Sequence, residues 1–233
     1  MNKKEQEELF LKRYPDLVKH LVVNDLVEVE NPFISVTART KDLYFNHLFP
    51  DCQNEKEMCL KLKNKQILDI GCGYNPIYDE SLIQYVLKNK KLNAKINGMD
   101  IIDMKMPNYM NKSVYNFNRK CDLILINNFL YFWVNDPKKL LQIYKNIHRN
   151  LNNCGQVRIF PCYMDNYHMN DEKLKKYLNE NFAIRMIKPN YYAEDPFYQD
   201  KESDEIIVLT GLGVKEKKIN HMLNSHTLIL KKM

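Results

Sequence analysis

The stretch best suited to chemistry is residues 69–76, DIGCGYNP, which follows a short apolar run. Gly71 and Gly73 let the backbone turn sharply and let a ligand approach it closely. Asn75 stands where a third glycine often falls, and asparagine is one of the few other residues that tolerate a left-handed backbone. Pro76 suits the first turn of a helix. The pattern predicts either a nucleotide-binding loop or a tight turn that binds nothing.

A second acidic position, Asp100, ends the next predicted strand. A carboxylate there can accept hydrogen bonds from both hydroxyls of a ribose, as in dinucleotide sites. The alternative is an exposed acid at a strand end, but the preceding glycine loop favours the ribose interpretation. A dinucleotide-dependent dehydrogenase is disfavoured, because Pro76 occupies the place of the last glycine of Gly-x-Gly-x-x-Gly.

The elements that must position these residues alternate between strand and helix from residue 65 onward. The predicted strands are 66–70, 95–100, about 113–117, 121–128, 156–160, 182–187 and 226–230. The predicted helices are 79–92, 137–151 and 171–179, with a turn at 152–155. This pattern predicts an α/β fold: a doubly wound, mostly parallel seven-stranded sheet with helices on both faces. Residues 65–233 would form this Rossmann-like domain, and residues 1–64, with a helix over 3–30, an N-terminal helical extension or cap.

Four ordered segments resemble class I S-adenosylmethionine-dependent methyltransferases. Residues 68–73, LDIGCG, are similar to the first motif of that family, and residues 98–100, GMD, to the second. Residues 121–131, CDLILINNFLY, resemble its fourth-strand segment, and residues 133–159 resemble the helix and fifth strand that follow. The resemblance implies S-adenosyl-L-methionine as cofactor and methyl transfer as the reaction.

The same resemblance implies roles for individual residues. Asp69, Gly71 and Gly73 would hold the methionine part of the cofactor, and Asp100 its ribose. Asn116 stands where the family often has an acid that binds the adenine amine, and an amide oxygen can also accept from that amine. Asn127, Asn128 and Tyr131 would lie beside the sulfonium and the incoming acceptor. The predicted cofactor-binding set is Asp69, Gly71, Cys72, Gly73, Asn75, Asp100, Ile101, Asn116, Asn127 and Asn128.

The catalytic residues are less defined by the sequence. The sulfonium is already activated, so the protein mainly aligns the acceptor with the methyl group, and a base is needed only for an acceptor that carries a proton. Tyr131, Tyr163 and His168 are the candidates, although a single loop histidine is more often a surface residue. The aromatic and acidic segment 189–198 would form either a wall of the acceptor pocket or an ordinary loop.

Composition limits the class of protein. The six cysteines form no Cys-x-x-Cys pair, and no Cys/His spacing suits zinc, so no metal site is expected. The charged start and the lack of a long apolar run predict a cytoplasmic protein without a membrane span. A small molecule methylated on oxygen or nitrogen is the preferred acceptor. The net charge of +6 leaves an RNA or protein substrate open, and a non-catalytic cofactor-binding or scaffold protein is the third alternative.

Overall fold

The computed structural model describes residues 39–101, 104–127, 130, 134, 136–163, 171–188 and 225–233 of the 233-residue chain. Its strands are β1 (Gln66–Ile70), β2 (Lys95–Asp100), β3 (Tyr109–Asn111), β4 (Cys121–Asn127), β5 (Leu151–Tyr163), β6 (Phe182–Ile187) and β7 (Ser225–Lys232). They form one sheet in the order β3-β2-β1-β4-β5-β7-β6. Strands β1 to β5 pair in parallel, whereas β7 runs antiparallel to both β5 and β6. The predicted mostly parallel seven-stranded sheet is confirmed.

Helices cover both faces of this sheet. They are α1 (Lys41–Leu48), α2 (Glu55–Leu62), α3 (Leu82–Lys88), α4 (Pro137–Asn150) and α5 (Glu172–Asn181). One buried cluster joins apolar side chains of α4 and α5 to one face of the sheet, and a second joins α1, α2 and α3 to the other. The strand order reverses between β1 and β4, so their carboxyl ends flank the crevice where ligands bind in doubly wound sheets.

Helix α4 forms where the amphipathic pattern predicts it. Asp136 accepts a hydrogen bond from the backbone N–H of Lys138 at 2.8 Å and Pro137 begins the helix, a combination that favours helix initiation. The predicted end at residue 151 and the predicted turn at 152–155 are wrong. The helix ends at Asn150 and β5 begins at once, and a bulge takes up the extra residues, with Cys154 at a φ of 59°.

The predicted third strand, residues 113–117, is also wrong. The strand lies earlier, at Tyr109–Asn111, and Ser113 begins a turn. The Ser113 hydroxyl accepts from the backbone N–H of Tyr115 at 3.3 Å, and its carbonyl accepts from that of Asn116 at 3.2 Å. Serine side chains stabilise turns in this way, and this local chemistry overrides the weak apolar pattern of the segment.

The helix predicted over 79–92 is shorter than expected. Ser81 caps α3 by accepting a hydrogen bond from the backbone N–H of Gln84 at 3.2 Å, and α3 ends at Lys88. A separate 3-10 turn covers Lys90–Leu92 and stops at Asn93, which has a left-handed φ of 46°. The helix predicted over 171–179 starts one residue later, because Asp171 is its cap, and it continues to Asn181.

The link between α1 and α2 is bound to the sheet by a buried ion pair. The Arg158 guanidinium of β5, 2% exposed, donates to the two carboxylate oxygens of Asp51 at 2.7 and 3.0 Å and to the Leu48 carbonyl at 2.8 Å. Burial raises the pKa of Asp51, but hydrogen bonds from Arg158 and Lys61 outweigh it and lower that pKa to about 2. Residues 39–64 therefore pack on the sheet, whereas the helix predicted over 3–30 lies outside the described residues.

Candidate cofactor site at the switch point

The glycine loop has the conformation that its glycines permit. Gly71 and Gly73 have φ angles of 67° and 52°, in the left-handed region where a side chain is strained. The backbone N–H groups of Gly71 and Cys72 donate to the Met99 carbonyl of β2 at 2.8 and 3.3 Å. The Gly73 N–H donates to the Asp100 carboxylate at 2.9 Å. The loop therefore curls over the carboxyl end of β2, next to the predicted ribose acceptor.

Close packing under the loop explains the glycine of the second motif. A Cβ atom on Gly98 would lie 2.7 Å from the Cys72 sulfur, closer than van der Waals contact allows. The Cys72 side chain is fully buried in the core between the sheet and α3, and burial raises the pKa of its thiol well above the usual value. Any contact that Cys72 makes with a cofactor must therefore come from its backbone.

Asp69 lies in a buried hydrogen-bond network rather than at the surface of the loop. The Tyr44 hydroxyl of α1 lies 2.8 and 2.7 Å from its two oxygens and donates to the carboxylate. The Asn75 amide donates to the Tyr44 oxygen at 2.7 Å and to Asp69 at 3.2 Å. Burial raises the pKa of Asp69 to about 6, despite these hydrogen bonds and the charge of Arg39. The carboxylate thus anchors the loop to α1.

Asn75 serves the loop through its side chain, and the expectation of a left-handed backbone there is wrong. The residue begins a 3-10 turn, Asn75–Ile77, and is absent from the positive-φ residues of the described chain. Its fully buried amide oxygen accepts from the backbone N–H of Arg39 at 2.7 Å, and its carbonyl accepts from the Ser81 hydroxyl at 2.6 Å. Asn75 therefore connects the loop to α3 and to the segment before α1.

The predicted ribose and adenine residues lie along the ends of β2 and β3. The Asp100 carboxylate accepts from the backbone N–H groups of Ile101 and Gly73 at 2.7 and 2.9 Å. Asn116 lies in the turn after β3 and is exposed. Asn111, also exposed, pairs with Asp100 in the sheet register, at a position that the predicted third strand did not include.

Asn127 ends β4 at the switch point and is fully buried. The His47 ring stacks on Phe160 of β5, with centroids 4.1 Å apart, and its Nδ1 lies 2.9 Å from Asn127 Oδ1. Burial, with a smaller contribution from the charge of Arg39, lowers the pKa of His47 to about 3. The imidazole is therefore neutral. Arg39, Tyr44 and His47 all belong to a segment that no sequence motif pointed to.

The remaining candidates are only partly covered by the structure. Asn128, Tyr131, His168 and the segment 189–198 lie outside the described residues. Tyr163 is the last residue of β5 and pairs with Ser225, and only its backbone is described.

Over the described ranges, no three His, Cys, Asp or Glu side chains form a group able to hold a metal, and no helix is long and apolar enough to cross a membrane.

Known proteins resemble this chain in structure but not in sequence. No family model and no curated protein sequence matches it. A SAM-dependent methyltransferase from Archaeoglobus fulgidus is 16% identical, with 76% of this chain and 90% of that chain covered and a TM-score of 0.43. The N-methyltransferase NodS from Bradyrhizobium japonicum WM9, in complex with S-adenosyl-L-homocysteine, is 12% identical, with 94% and 97% covered and a TM-score of 0.41. The plantazolicin methyltransferase BpumL, in complex with a pentazolic desmethylPZN analog and SAH, is 15% identical, with 99% and 90% covered and a TM-score of 0.45.

The fold of this chain follows from its own strand order, strand directions and loop geometry. The sheet, with the glycine loop and Asp100 beside its switch point, gives this chain the class I methyltransferase-type fold that the sequence resemblance predicts.

Proposed function

We propose that this protein is an S-adenosyl-L-methionine-dependent methyltransferase that acts on an oxygen or nitrogen of a small molecule. The observation that carries the proposal is the left-handed glycine loop whose Gly73 N–H is fixed by Asp100 at the carboxyl end of β2. A loop without side chains at Gly71 and Gly73 allows a ligand to contact the backbone, and the adjacent carboxylate is the acceptor that ribose hydroxyls require.

The residues of the chain would position the reactants rather than form bonds with them. When bound, the cofactor supplies an activated methyl group on its sulfonium. The loop and Asp100 would orient the cofactor, and Asn127 would lie on the acceptor side of the crevice. Because His47 is neutral and Asp69 is occupied by Tyr44 and Asn75, neither is placed as a strong base. This arrangement suits an acceptor with a free lone pair, since positioning supplies much of the catalysis.

One feature supports a small acceptor over a nucleic acid. Three described side chains at the switch point, Asn127 of β4, Phe160 beside it on β5 and the adjacent His47, are fully buried and uncharged. A polyanion is attracted by basic groups that line a site, and none of these three side chains is basic at neutral pH. Protein and RNA acceptors, and a scaffold role, are the alternatives that the experiment must separate.

Calorimetry with S-adenosyl-L-homocysteine is the first test. We expect the unmodified protein to bind it and Asp100→Ala to weaken binding by roughly tenfold or more, because a hydrogen bond to a charged group contributes about 1.5–3 kcal/mol. Gly71→Arg should abolish binding. The matched control is Asp79→Ala, which removes an exposed carboxylate from the loop that precedes α3. No binding by the unmodified protein would contradict both the methyltransferase and the cofactor-binding scaffold.

A radiolabelled-methyl screen then separates the acceptor classes. Metabolite, RNA and protein fractions are offered with labelled cofactor, and we expect label in the small-molecule fraction. Label in RNA or protein would replace the proposed acceptor by one of the alternatives. Cofactor binding without transfer to any fraction would support the scaffold.

A further inference from the structure

A groove of about 330 Å³ lies on the side of the sheet that carries α1 and α2, next to the strands β7 and β6. The buried cluster formed by α1, α2 and α3 includes side chains of β1, β2, β4 and β5 but, among the described residues, none of β6 or β7. Gln156 and Arg158 of β5 line the groove, and both precede Phe160, which lies level with the end of β4. The groove is therefore separate from the switch-point crevice, and its volume is that of a site for a small ligand.

The sheet register places the cations of this groove on one face. Directly opposite residues of neighbouring strands have their side chains on the same face. Ile229 of β7 stands between Arg158 of β5 and Arg185 of β6. Lys231, the next residue of β7 on that face, also lines the groove, and Lys61 of α2 lies at its side. Because strands are about 4.8 Å apart and alternate residues about 6.8 Å apart, the three cations of the sheet stand on an area of roughly 10 by 7 Å.

Positive charge exceeds negative charge in this groove. Its charged lining consists of four cations, Lys61, Arg158, Arg185 and Lys231, and one acid, Asp51. Asp51 already pairs with Arg158 at 2.7 Å and with Lys61 at 3.0 Å. Arg185 and Lys231 are exposed, and no carboxylate of the described residues forms an ion pair with either. The four cations less the one acid leave a surplus of three positive charges, which suits a ligand with more than one negative charge.

We propose that this groove binds a small organic phosphate, namely a phosphate monoester with an apolar body. Such a group carries nearly two negative charges at neutral pH and three strong acceptor oxygens, and a guanidinium pairs with it through two parallel hydrogen bonds. Arg185 and Lys231 would hold the phosphate, and Ile229 and Ala183 give the apolar body a surface to pack on. Cations confined to so small an area match one phosphate group better than the repeated phosphates of a nucleic acid. The inference goes beyond the proposed function and does not depend on it.

The test is calorimetry of the full chain at low ionic strength, with phenyl phosphate as the probe and inorganic phosphate and phenol as comparisons. We expect one phenyl phosphate per chain, bound roughly 5- to 30-fold more tightly than inorganic phosphate, because its ring packs on the apolar surface. Phenol lacks the charged group and should show no measurable binding. Saturating S-adenosyl-L-homocysteine should change the affinity for phenyl phosphate by less than about twofold, because the groove is separate from the crevice.

Three variants locate the probe. Arg185→Gln and Lys231→Gln should each weaken phenyl phosphate binding by roughly 5- to 20-fold, because each removes a charge-assisted hydrogen bond, and the double variant should show no measurable binding. Both side chains are exposed, so we expect all three variants to fold, which circular dichroism and thermal unfolding check. Lys138→Gln is the matched control: it removes an exposed lysine of α4, which packs on the opposite face of the sheet, and should leave the affinity unchanged.

Four results would overturn the inference. Full affinity in the double variant would place the probe elsewhere, and competition with S-adenosyl-L-homocysteine would place it in the crevice. Equal affinities for phenyl phosphate and inorganic phosphate would show only that surface cations attract any anion. A single-stranded RNA that binds more tightly than phenyl phosphate, and loses affinity in the same variants, would replace the small ligand by a nucleic acid.

Discussion

His47 Nδ1 and Asn127 Oδ1 lie 2.9 Å apart, so a residue of α1 fixes the amide at the end of β4. The amide oxygen only accepts hydrogen bonds, which means that the neutral imidazole carries its proton on Nδ1. The bond leaves Asn127 Nδ2, fully buried, without a hydrogen-bond partner in the described part of the chain. Because the side chain of Asn127 is fixed next to the switch-point crevice, its Nδ2 is suited to donate a hydrogen bond that orients a lone pair of the methyl acceptor.

Replacing Asn127 by alanine should impair transfer but not cofactor binding. With the acceptor found by the labelling screen, we expect kcat/KM to fall by roughly 10- to 100-fold, because an orienting hydrogen bond is lost. Affinity for S-adenosyl-L-homocysteine, measured by calorimetry, should change less than about twofold. A parallel loss of both quantities would assign Asn127 to the cofactor rather than to the acceptor.

The buried His47 should make the protein sensitive to acid. Its folded pKa of about 3 lies below the value near 6.5 expected for the unfolded chain, so the unfolded state binds the extra proton between these values. This residue should therefore reduce the free energy of unfolding by about 1.4 kcal/mol for each pH unit as pH falls from about 6.5 towards 3.

His47→Gln is the variant that isolates this contribution, because glutamine can still donate to Asn127 but does not titrate. Urea denaturation of both proteins across pH 4–7 gives the difference in slope. Asp69, with a folded pKa raised to about 6, acts in the opposite direction between about pH 4 and 6 and is present in both proteins, so its effect cancels in the comparison. Equal slopes for the two proteins would show that His47 already titrates normally.

Gly98 should be intolerant of even a methyl group. Gly98→Ala places a Cβ 2.7 Å from the Cys72 sulfur and should cost roughly 1–3 kcal/mol of unfolding free energy, as overpacked cores do. The double variant Gly98→Ala, Cys72→Ala removes the shortest of these contacts and should recover part of that loss, while the contacts of the new Cβ with Pro76 and Ile83 remain. If the single variant is as stable as the unmodified protein in urea denaturation, the loop packs less closely on β2 than this geometry requires.

Removing Asp51 alone should lower the free energy of unfolding more than removing Asp51 and Arg158 together. Asp51→Ala leaves a guanidinium that is 2% exposed without its carboxylate, and we expect a loss of roughly 3–5 kcal/mol. The double variant Asp51→Ala, Arg158→Met should lose less, since no charge is then left buried. Thermal and urea unfolding measure both. Equal losses in the single and double variants would contradict a buried, paired charge.

The parts of the fold that the sequence predicts are those with local causes. Gly71, Gly73 and Asp100 could be found because each follows an apolar strand at a strand end, and the parallel sheet brings those ends together. The position of β3 was not predicted correctly. An edge strand of three residues is too short to show a pattern, and the Ser113 turn lies beside it. The end of α4 was misplaced because the bulged start of β5 carries turn-type residues.

The sequence did not predict the residues before and in α1 that contact the site, for a different reason. Arg39, Tyr44 and His47 reach Gly71, Asp69 and Asn127 across 32, 25 and 80 residues of chain. Such contacts depend on how α1 packs against the sheet, and α1 itself has no recognisable motif. Asp69 and Asn75 did indicate that such contacts exist. Polar side chains that are buried next to a strand need hydrogen-bond partners, and those partners had to come from elsewhere in the chain.

Helix α1 carries Tyr44 and His47 three residues apart, and therefore on the same side of a single short helix. Tyr44 contacts the residue that anchors the glycine loop, and His47 contacts the amide at the end of β4. Any displacement of this helix must act on both contacts together. Cofactor and acceptor affinities would then be thermodynamically linked, and the factor by which one ligand changes the affinity of the other is necessarily the same in both directions.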